Sequence, residues 1–290
     1  MKKTIIAAAV AAVVAAPVAS ADVKLSGKVE QWQAINDDTD VWTPGSDVRI
    51  TLTGSEDLGN GMTASFKVDS YVQNGTGYDG SLDQKIALSG GFGTVAMGRM
   101  EDFSEAAGMS KVDMFQGNGV ETSGQLATRQ NGAVAYISPA MNGLTVGVAG
   151  YTGVDADEDS FDAVDVALMY SNGPIAVSVS NEDNSNDSDT TVIGASYTAG
   201  DLKVGVVHAD TDYDDATADT TDVMVAATYK MGNNTIVLGW NDDETAGAGV
   251  NNTVLELRHN FSKRTSVYFN VLDSDTNAND ETRIGMQHTF

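Results

Sequence analysis

The sequence has no cysteine among its 290 residues, so it can form neither a disulfide nor a thiolate metal site. Positive charge is also scarce, because 16 Lys and Arg stand against 41 Asp and Glu for a formal net charge of −25. A chain this acidic repels other polyanions. We therefore exclude nucleic acid and an anionic membrane surface as binding partners.

Long apolar runs are absent beyond residue 21, where none approaches the ~18 residues of a membrane helix. The first 21 residues differ: Lys2 and Lys3 precede an apolar stretch, and Ala19-Ser20-Ala21 has the small-x-small pattern of a cleavage site. The sequence predicts a cleaved signal peptide over residues 1–21 and a single domain over residues 22–290. Cleavage would bring the net charge to −27, since two Lys are lost.

Apolar and polar residues alternate with period two along the mature chain, and no long helical pattern interrupts them. Phe66 and Val68, for example, alternate with Lys67 and Asp69. Seven tight turns alternate with eight long polar loops, which makes fifteen connections and sixteen strands. Five of the long loops are rich in Asp or Asn: residues 155–162, 181–189, 210–222, 241–244 and 273–281.

A β-sandwich or a propeller would also alternate, but its inner face would need large aliphatic residues. The polar face here consists of Ser, Thr, Lys, Glu and Gly. In lipid a sheet has to close so that every backbone group is paired. The sequence therefore predicts an all-β transmembrane antiparallel up-and-down β-barrel of 16 strands, apolar outside and wet inside. The predicted strands include residues 48–56, 82–90 and 201–209.

Several segments resemble the general porins of Gram-negative outer membranes. They are residues 91–99, which read Gly-Phe-Gly-Thr-Val-Ala-Met-Gly-Arg and lead into a long third loop, residues 136–139 followed by 142–144, and the terminal Phe290. The resemblance implies short periplasmic turns, long extracellular loops and a third loop folded into the lumen. It also implies a homotrimer in the bacterial outer membrane, contact with lipid and lipopolysaccharide, and recognition of Phe290 by the barrel-assembly machinery.

Strand parity places eight basic residues on the polar face of their strands, pointing into the lumen. Because strands 16, 1, 2, 3 and 4 are neighbours in a closed barrel, most of these charges line one arc of the wall. Lys and Arg cost ~2–4 kcal/mol on the lipid face, which explains the inward parity but not the crowding onto one arc. Arg99 has outward parity, so we expect a β-bulge or the start of the loop there. The predicted basic stripe is Lys24, Lys28, Arg49, Lys67, Lys85, Arg129, Arg258 and Arg283.

We expect this stripe to face acids on the third loop, because opposed charges across a pore order water and favour polar solutes. The acidic extracellular loops should also attract cations. The sequence thus predicts a channel for passive diffusion of ions and small hydrophilic solutes, with mild cation preference and no cofactor. A substrate-specific channel whose basic arc guides anions is the alternative. The enterobacterial Pro-Glu-Phe-Gly-Gly loop motif is absent, and the predicted constriction acids are Glu101, Asp102, Glu105, Asp113 and Glu121.

Two other chemistries lack a complete set of residues. A barrel enzyme needs a general base, but His259 and His288 have outward parity and spacing gives no Ser partner for His208, so no catalytic residue is predicted. Residues 210–214 alternate carboxylates as an EF-hand does, yet the sixth position is Asp instead of Gly and the twelfth is Thr221 instead of Glu. No specific metal site is predicted, although acidic loops can bind divalent cations weakly.

Overall fold

A computed structural model describes residues 22–36, 41–73, 77–120, 129–152, 161, 163–184, 188–213, 219–244, 249–275 and 280–290. Sixteen antiparallel strands in these residues form a closed barrel in which β1 pairs with β16, which confirms the predicted fold. No helix among the described residues is long and apolar enough to span a membrane. The strands are β1 Asp22–Asn36, β2 Trp42–Gly59, β3 Met62–Gln73, β4 Gly77–Gly90, β5 Gly93–Glu101, β6 Arg129–Ile137, β7 Leu144–Tyr151, β8 Ala163–Asn172, β9 Ile175–Asn184, β10 Ser188–Ala199, β11 Leu202–Tyr213, β12 Thr220–Met231, β13 Asn234–Asp243, β14 Val250–Asn260, β15 Thr265–Ser274 and β16 Glu281–Thr289.

Three strands extend at least four residues further than predicted. β2 begins at Trp42 and not at residue 48, β4 begins at Gly77 and not at 82, and β11 continues to Tyr213 instead of 209. The reason is that strand pairing does not stop where the apolar outer face stops. The β1–β2 ladder continues to the pair Ile35 and Trp42, through residues polar enough to resemble a loop.

The outer face of the barrel is apolar, whereas the inner face also carries charged residues. In β8, Val164, Val166 and Leu168 are exposed on the outside, whereas Asp165 and Ala167 between them are buried inside. The predicted orientation of the two faces is therefore present in the structure.

The expected β-bulge is present at Arg99. The β5–β6 register shifts between Gly98 and Met100, and Gly98 on β5 and Gly132 on β6 have positive φ angles of 131° and 60°. The Arg99 guanidinium donates from Nη1 to the carbonyl oxygen of Arg129, 2.7 Å away. The shift turns the buried side chain of Met100 to the inside at the point where the third loop begins.

The third loop, defined here by its described residues 102–120, lies inside the barrel against the wall. It starts with two helical turns, Ser104–Gly108 and Met109–Lys111, that contact β8 to β11. A Cβ on Gly147 of β7 would lie 2.5 Å from the ring of Phe103, and one on Gly205 of β11 would lie 2.0 Å from the Lys111 carbonyl oxygen. The loop therefore fits only because the wall beneath it lacks side chains at these points, and the predicted insertion into the lumen is confirmed.

Beneath the loop the inner wall is apolar, which the sequence analysis did not predict. Small or branched apolar residues of the strands pack there against Met, Phe and Val of the loop, so the loop buries a hydrophobic surface in the lumen. A wet inner face is restricted to the part of the wall that the loop leaves open. The first cluster contains Met109, Val112, Val120, Val192, Val207, Ala209, Met224, Ala226 and Val254. The second contains Met100, Phe103, Ala133, Ala135, Ala149, Tyr151, Ala163 and Ala167.

Leu168→Arg should lower the free energy of unfolding by ~2–4 kcal/mol, because a guanidinium would face hydrocarbon at the middle of β8. Denaturant unfolding in lipid vesicles measures this loss. Ser65→Arg, on the inner side of β3, is the matched control and should cost less than half as much. Equal losses for the two variants would contradict the assignment of the faces.

Gly205→Ala should displace the third loop, since the added Cβ meets the Lys111 carbonyl oxygen, a backbone atom. We expect a loss of about 1–3 kcal/mol in unfolding free energy, as for other overpacked sites, and a broader distribution of single-channel conductances. Gly91→Ala is the control, because its Cβ would meet nothing within 4 Å. Identical conductance and stability in both variants would show that the loop does not rest on β11.

Candidate pore constriction

The wall of β1 to β4 carries five of the eight basic residues that the sequence analysis predicted to line the lumen. The loop contacts described above lie on β7 and β11, and further contacts reach Asn270 on β15 and Glu281 on β16. On the other side of the lumen, the side chains of Lys28, Lys67 and Lys85 remain between a quarter and a third exposed. The opening therefore lies between the loop and this basic wall.

One buried carboxylate, Asp83 on β4, brings three of the predicted bases together. Its Oδ2 lies 2.8 Å from Lys67 Nζ and 3.1 Å from Lys85 Nζ, and its Oδ1 lies 3.6 Å from Arg129 Nε. The Asp83 side chain is only 2% exposed, against 34% for Lys67 and 31% for Lys85. The ammonium groups are thus the partners that face the lumen.

The same arrangement recurs on β1 and β2. Lys28 Nζ lies 2.7 Å from Asp47 Oδ2 and 3.2 Å from Glu30 Oε2. Glu30 is buried and also accepts a hydrogen bond of 2.6 Å from the Tyr268 hydroxyl. Next to this pair, the Arg49 guanidinium donates to the hydroxyl of Tyr71, whose ring centroid is 4.7 Å away.

The three remaining members of the predicted basic stripe have different surroundings. Arg258 pairs with the buried Glu256 and donates to the Met114 carbonyl oxygen at 3.0 Å, so it anchors the loop instead of lining the open wall. Arg283 lies 2.7 Å from Glu281 and stacks 4.6 Å from the Trp32 ring centroid. Lys24 is exposed near the N-terminal end of β1, away from the ion pairs of Lys28 and Asp83.

Glu256 on β14 also holds the third loop in place. Its Oε2 accepts the backbone N–H groups of Gln116 and Gly117 at 2.9 and 2.8 Å. A charge-assisted hydrogen bond to a buried carboxylate is about twice as strong as a neutral one, so this part of the loop is held firmly.

The predicted acids do not form a face opposite the stripe. Glu101 and Glu105 both pair with Arg129, so they neutralise a wall base directly. Asp102 is fully buried, and its Oδ1 accepts hydrogen bonds of 2.7 Å from Ser104 Oγ and from the Glu105 N–H, so it is bound within the start of the loop. Asp113 is exposed, and residue 121 lies outside the described residues.

Burial and then the nearby Glu101 carboxylate raise the pKa of Glu105 from 4.5 to about 7, although Arg129 acts in the opposite direction. The loop also carries a base, Lys111, whose pKa is lowered by burial and by Lys203 on β11. Lys203 itself donates to the Ser110 carbonyl oxygen at 3.4 Å. The loop side of the lumen therefore has charges of both signs.

The sequence analysis missed the wall carboxylates, although the sequence contains a signal for them. Each acid stands two residues from its base, and residues two apart on a strand point to the same side. The same parity that identified the bases would have paired them with their acids. These pairs are Lys28 with Glu30, Lys67 with Asp69, Asp83 with Lys85, Glu256 with Arg258 and Glu281 with Arg283.

The C-terminal Phe290 continues the barrel seam. Its N–H donates to the Gly27 carbonyl oxygen at 3.0 Å, and its own carbonyl oxygen accepts the Gly27 N–H at 3.1 Å. The side chain is exposed at the surface of the barrel. Recognition of this residue during assembly stays a prediction.

Known proteins resemble the chain along almost all of its length. Outer membrane porin protein 32 of Delftia acidovorans is 28% identical over 314 aligned positions, which cover 93% of this chain and 89% of that protein. The solved anion-selective porin of Comamonas acidovorans has a TM-score of 0.79 at 21% identity and covers 93% of this chain and 100% of its own. The trimer form of OmpT from Vibrio cholerae has a TM-score of 0.72 at 17% identity, with 93% and 100% covered.

The two structural likenesses support the fold, and the sequence comparisons support the family. The family model for Gram-negative porins matches residues 7–279. The chain belongs to the Gram-negative porin family.

Proposed function

We propose that this porin forms a water-filled channel through which ions and small hydrophilic solutes diffuse passively across the bacterial outer membrane. The observation that carries the proposal is the asymmetric lumen, in which the third loop covers one side and a wall of partly exposed charged side chains lines the other. Charged walls solvate polar solutes and reject apolar ones. The channel needs no cofactor and no catalytic residue for this task.

The proposed selectivity is a mild preference for cations. At the constriction most wall bases have a carboxylate partner, and Glu101 and Glu105 neutralise Arg129, so neither sign dominates strongly. The net charge of −27 after cleavage and the acidic loops then raise the local cation concentration at the mouth. Salt reduces this effect beyond ~8–10 Å.

A channel that guides anions is the second candidate. It is favoured by the burial of the wall acids, since the exposed partners of Asp83 are the ammonium groups of Lys67 and Lys85. Lys111 and Lys203 add positive charge on the loop side. The Comamonas acidovorans structure is that of a porin named as anion-selective.

The proposal includes a homotrimer that contacts lipid and lipopolysaccharide, since the solved Vibrio cholerae relative is named as a trimer form. We also propose export through the signal peptide of residues 1–21 and assembly by the barrel-assembly machinery through Phe290. If the protein has the mass of a monomer after extraction in a mild detergent, the proposed trimer is wrong.

The reversal potential of the channel in a tenfold KCl gradient tests the selectivity. Complete selectivity for one ion would give about 59 mV, and we expect less than half of this value with the cation sign. An anion sign together with saturable block by phosphate would select the second candidate. A purely structural or adhesive barrel would show no conductance.

Asp83→Asn should shift the reversal potential towards anions, because it leaves Lys67 and Lys85 without their shared carboxylate. The control is Asp57→Asn near the C-terminal end of β2, where either residue can accept the hydrogen bond from the Gly59 N–H. The control should retain the selectivity of the unmodified channel. A shift of the same size in both variants would show that total charge, and not the wall, sets selectivity.

Selectivity should also depend on pH with a midpoint near 7, the pKa of Glu105. As pH falls, Glu105 loses its negative charge, Arg129 loses one partner, and the share of current carried by anions rises. The free energy of unfolding depends on the same group. Because the pKa of Glu105 is higher in the folded protein than its ordinary value of 4.5, protonated Glu105 stabilises the fold fully below pH 4.5, and this stabilisation is lost as the pH rises to about 7. Glu105→Gln should abolish the midpoint, and a midpoint that persists in this variant would belong to another group.

A further inference from the structure

Three carboxylates meet beneath the start of the third loop, outside the pore lining. Asp102 comes from the loop, Asp165 from β8 and Glu182 from β9, and all three are buried. One oxygen atom of each lies within 4.8 Å of the others. Asp165 and Glu182 are direct cross-strand partners, so the sheet itself fixes two of the three side chains on the inner wall.

This cluster has oxygen atoms to spare. Asp165 Oδ2 accepts the Phe103 N–H, but Asp165 Oδ1 is buried and accepts no hydrogen bond in the described part of the chain. Ser180 points to the same inner side of β9 as Glu182, and its hydroxyl oxygen is likewise buried without a hydrogen-bond partner among the described residues. Leaving a buried polar atom without a partner destabilises the fold, so these oxygens point to a ligand at this position.

Positive charge is missing from this part of the wall. The sequence has no Lys or Arg between Arg129 and Lys203, and the ion pairs of the described residues include neither Asp165 nor Glu182. Carboxylates removed from water need a cation or a proton to compensate them.

We propose that Asp102, Asp165 and Glu182 bind one Ca²⁺ ion that fastens the third loop to the barrel wall. Ca²⁺ takes oxygen ligands at 2.3–2.6 Å, so two ligands on opposite sides of the ion lie about 4.6–5.2 Å apart. Oxygen atoms around one such ion lie no further apart than this, and the three carboxylates meet that limit because their oxygens lie within 4.8 Å of one another. The Ser180 hydroxyl and water would supply further oxygen ligands. Mg²⁺ fits less well, because it demands a near-ideal octahedron and releases its water reluctantly.

The site differs from the pore charges in what it does. Its carboxylates come from the loop and from two strands, so an ion here crosslinks elements that the Phe103 N–H and the apolar clusters otherwise hold. Binding should stabilise the loop position without adding a charge to the open wall. Either candidate channel can contain the site, so its absence would leave the proposed passage of ions and small solutes standing.

Isothermal titration of the purified full-length protein in detergent tests the proposal. The protein is stripped with EDTA and titrated with CaCl₂ at pH 7.5 in KCl, which screens weak binding by exposed acids. We expect one saturable site per chain. Glu182→Gln should weaken binding at least tenfold, whereas Asp212→Asn, an exposed carboxylate on the outer parity of β11, should retain it. MgCl₂ should compete at least tenfold less well than CaCl₂.

Hydrogen exchange of the loop supplies a second measurement that needs no variant. CaCl₂ should slow exchange at residues 103–112 of the unmodified protein at least several-fold relative to EDTA and leave β1 to β4 unchanged. Three results would overturn the proposal. They are the absence of a saturable Ca²⁺ site, an unchanged Ca²⁺ affinity in Glu182→Gln, and competition by Mg²⁺ as strong as that by Ca²⁺. The first of these results would mean that the carboxyl groups share protons instead.

Discussion

In hydrocarbon an unpaired backbone N–H or C=O costs several kcal/mol, and the pairing of β1 with β16 removes the last sheet edge that would expose one. Every other feature depends on this closure. A closed sheet has an inside, so the alternate residues of each strand are separated into a lipid-facing set and an enclosed set. Charges such as Lys67 and Asp83 can then exist at membrane depth because they face each other and water, not acyl chains.

The enclosed side is divided by the third loop. Where the loop lies, the wall needs small apolar residues, and Gly205 is one position at which even a Cβ would collide with it. Where the loop is absent, the wall needs charged residues that hold water. One barrel thus has two inner surfaces of opposite character, and the boundary between them defines the open lumen.

The sequence was informative wherever a property repeats with period two. Strand count, closure and the inward parity of Lys28, Lys67 and Lys85 all follow from alternation, and the outward parity of Arg99 was enough to predict a bulge. The apolar inner wall could not be predicted in this way, because a Val or an Ala on the enclosed face depends on which loop covers it. Asp102 and Asp165 are 63 positions apart, and only the path of the loop brings them together.

The wall charges combine two requirements that conflict in a narrow pore. Each base needs a counter-charge to lower the free energy of placing it on the inner wall. A fully neutral wall, however, would not discriminate between ions. Burying the acid and exposing the base meets both requirements: Asp83 compensates Lys67 and Lys85 from beneath, while the ammonium groups of the two lysines stay partly exposed. In the proposed channel, the depth of each carboxylate relative to its base would therefore shape the field in the lumen together with the number of charges of each sign.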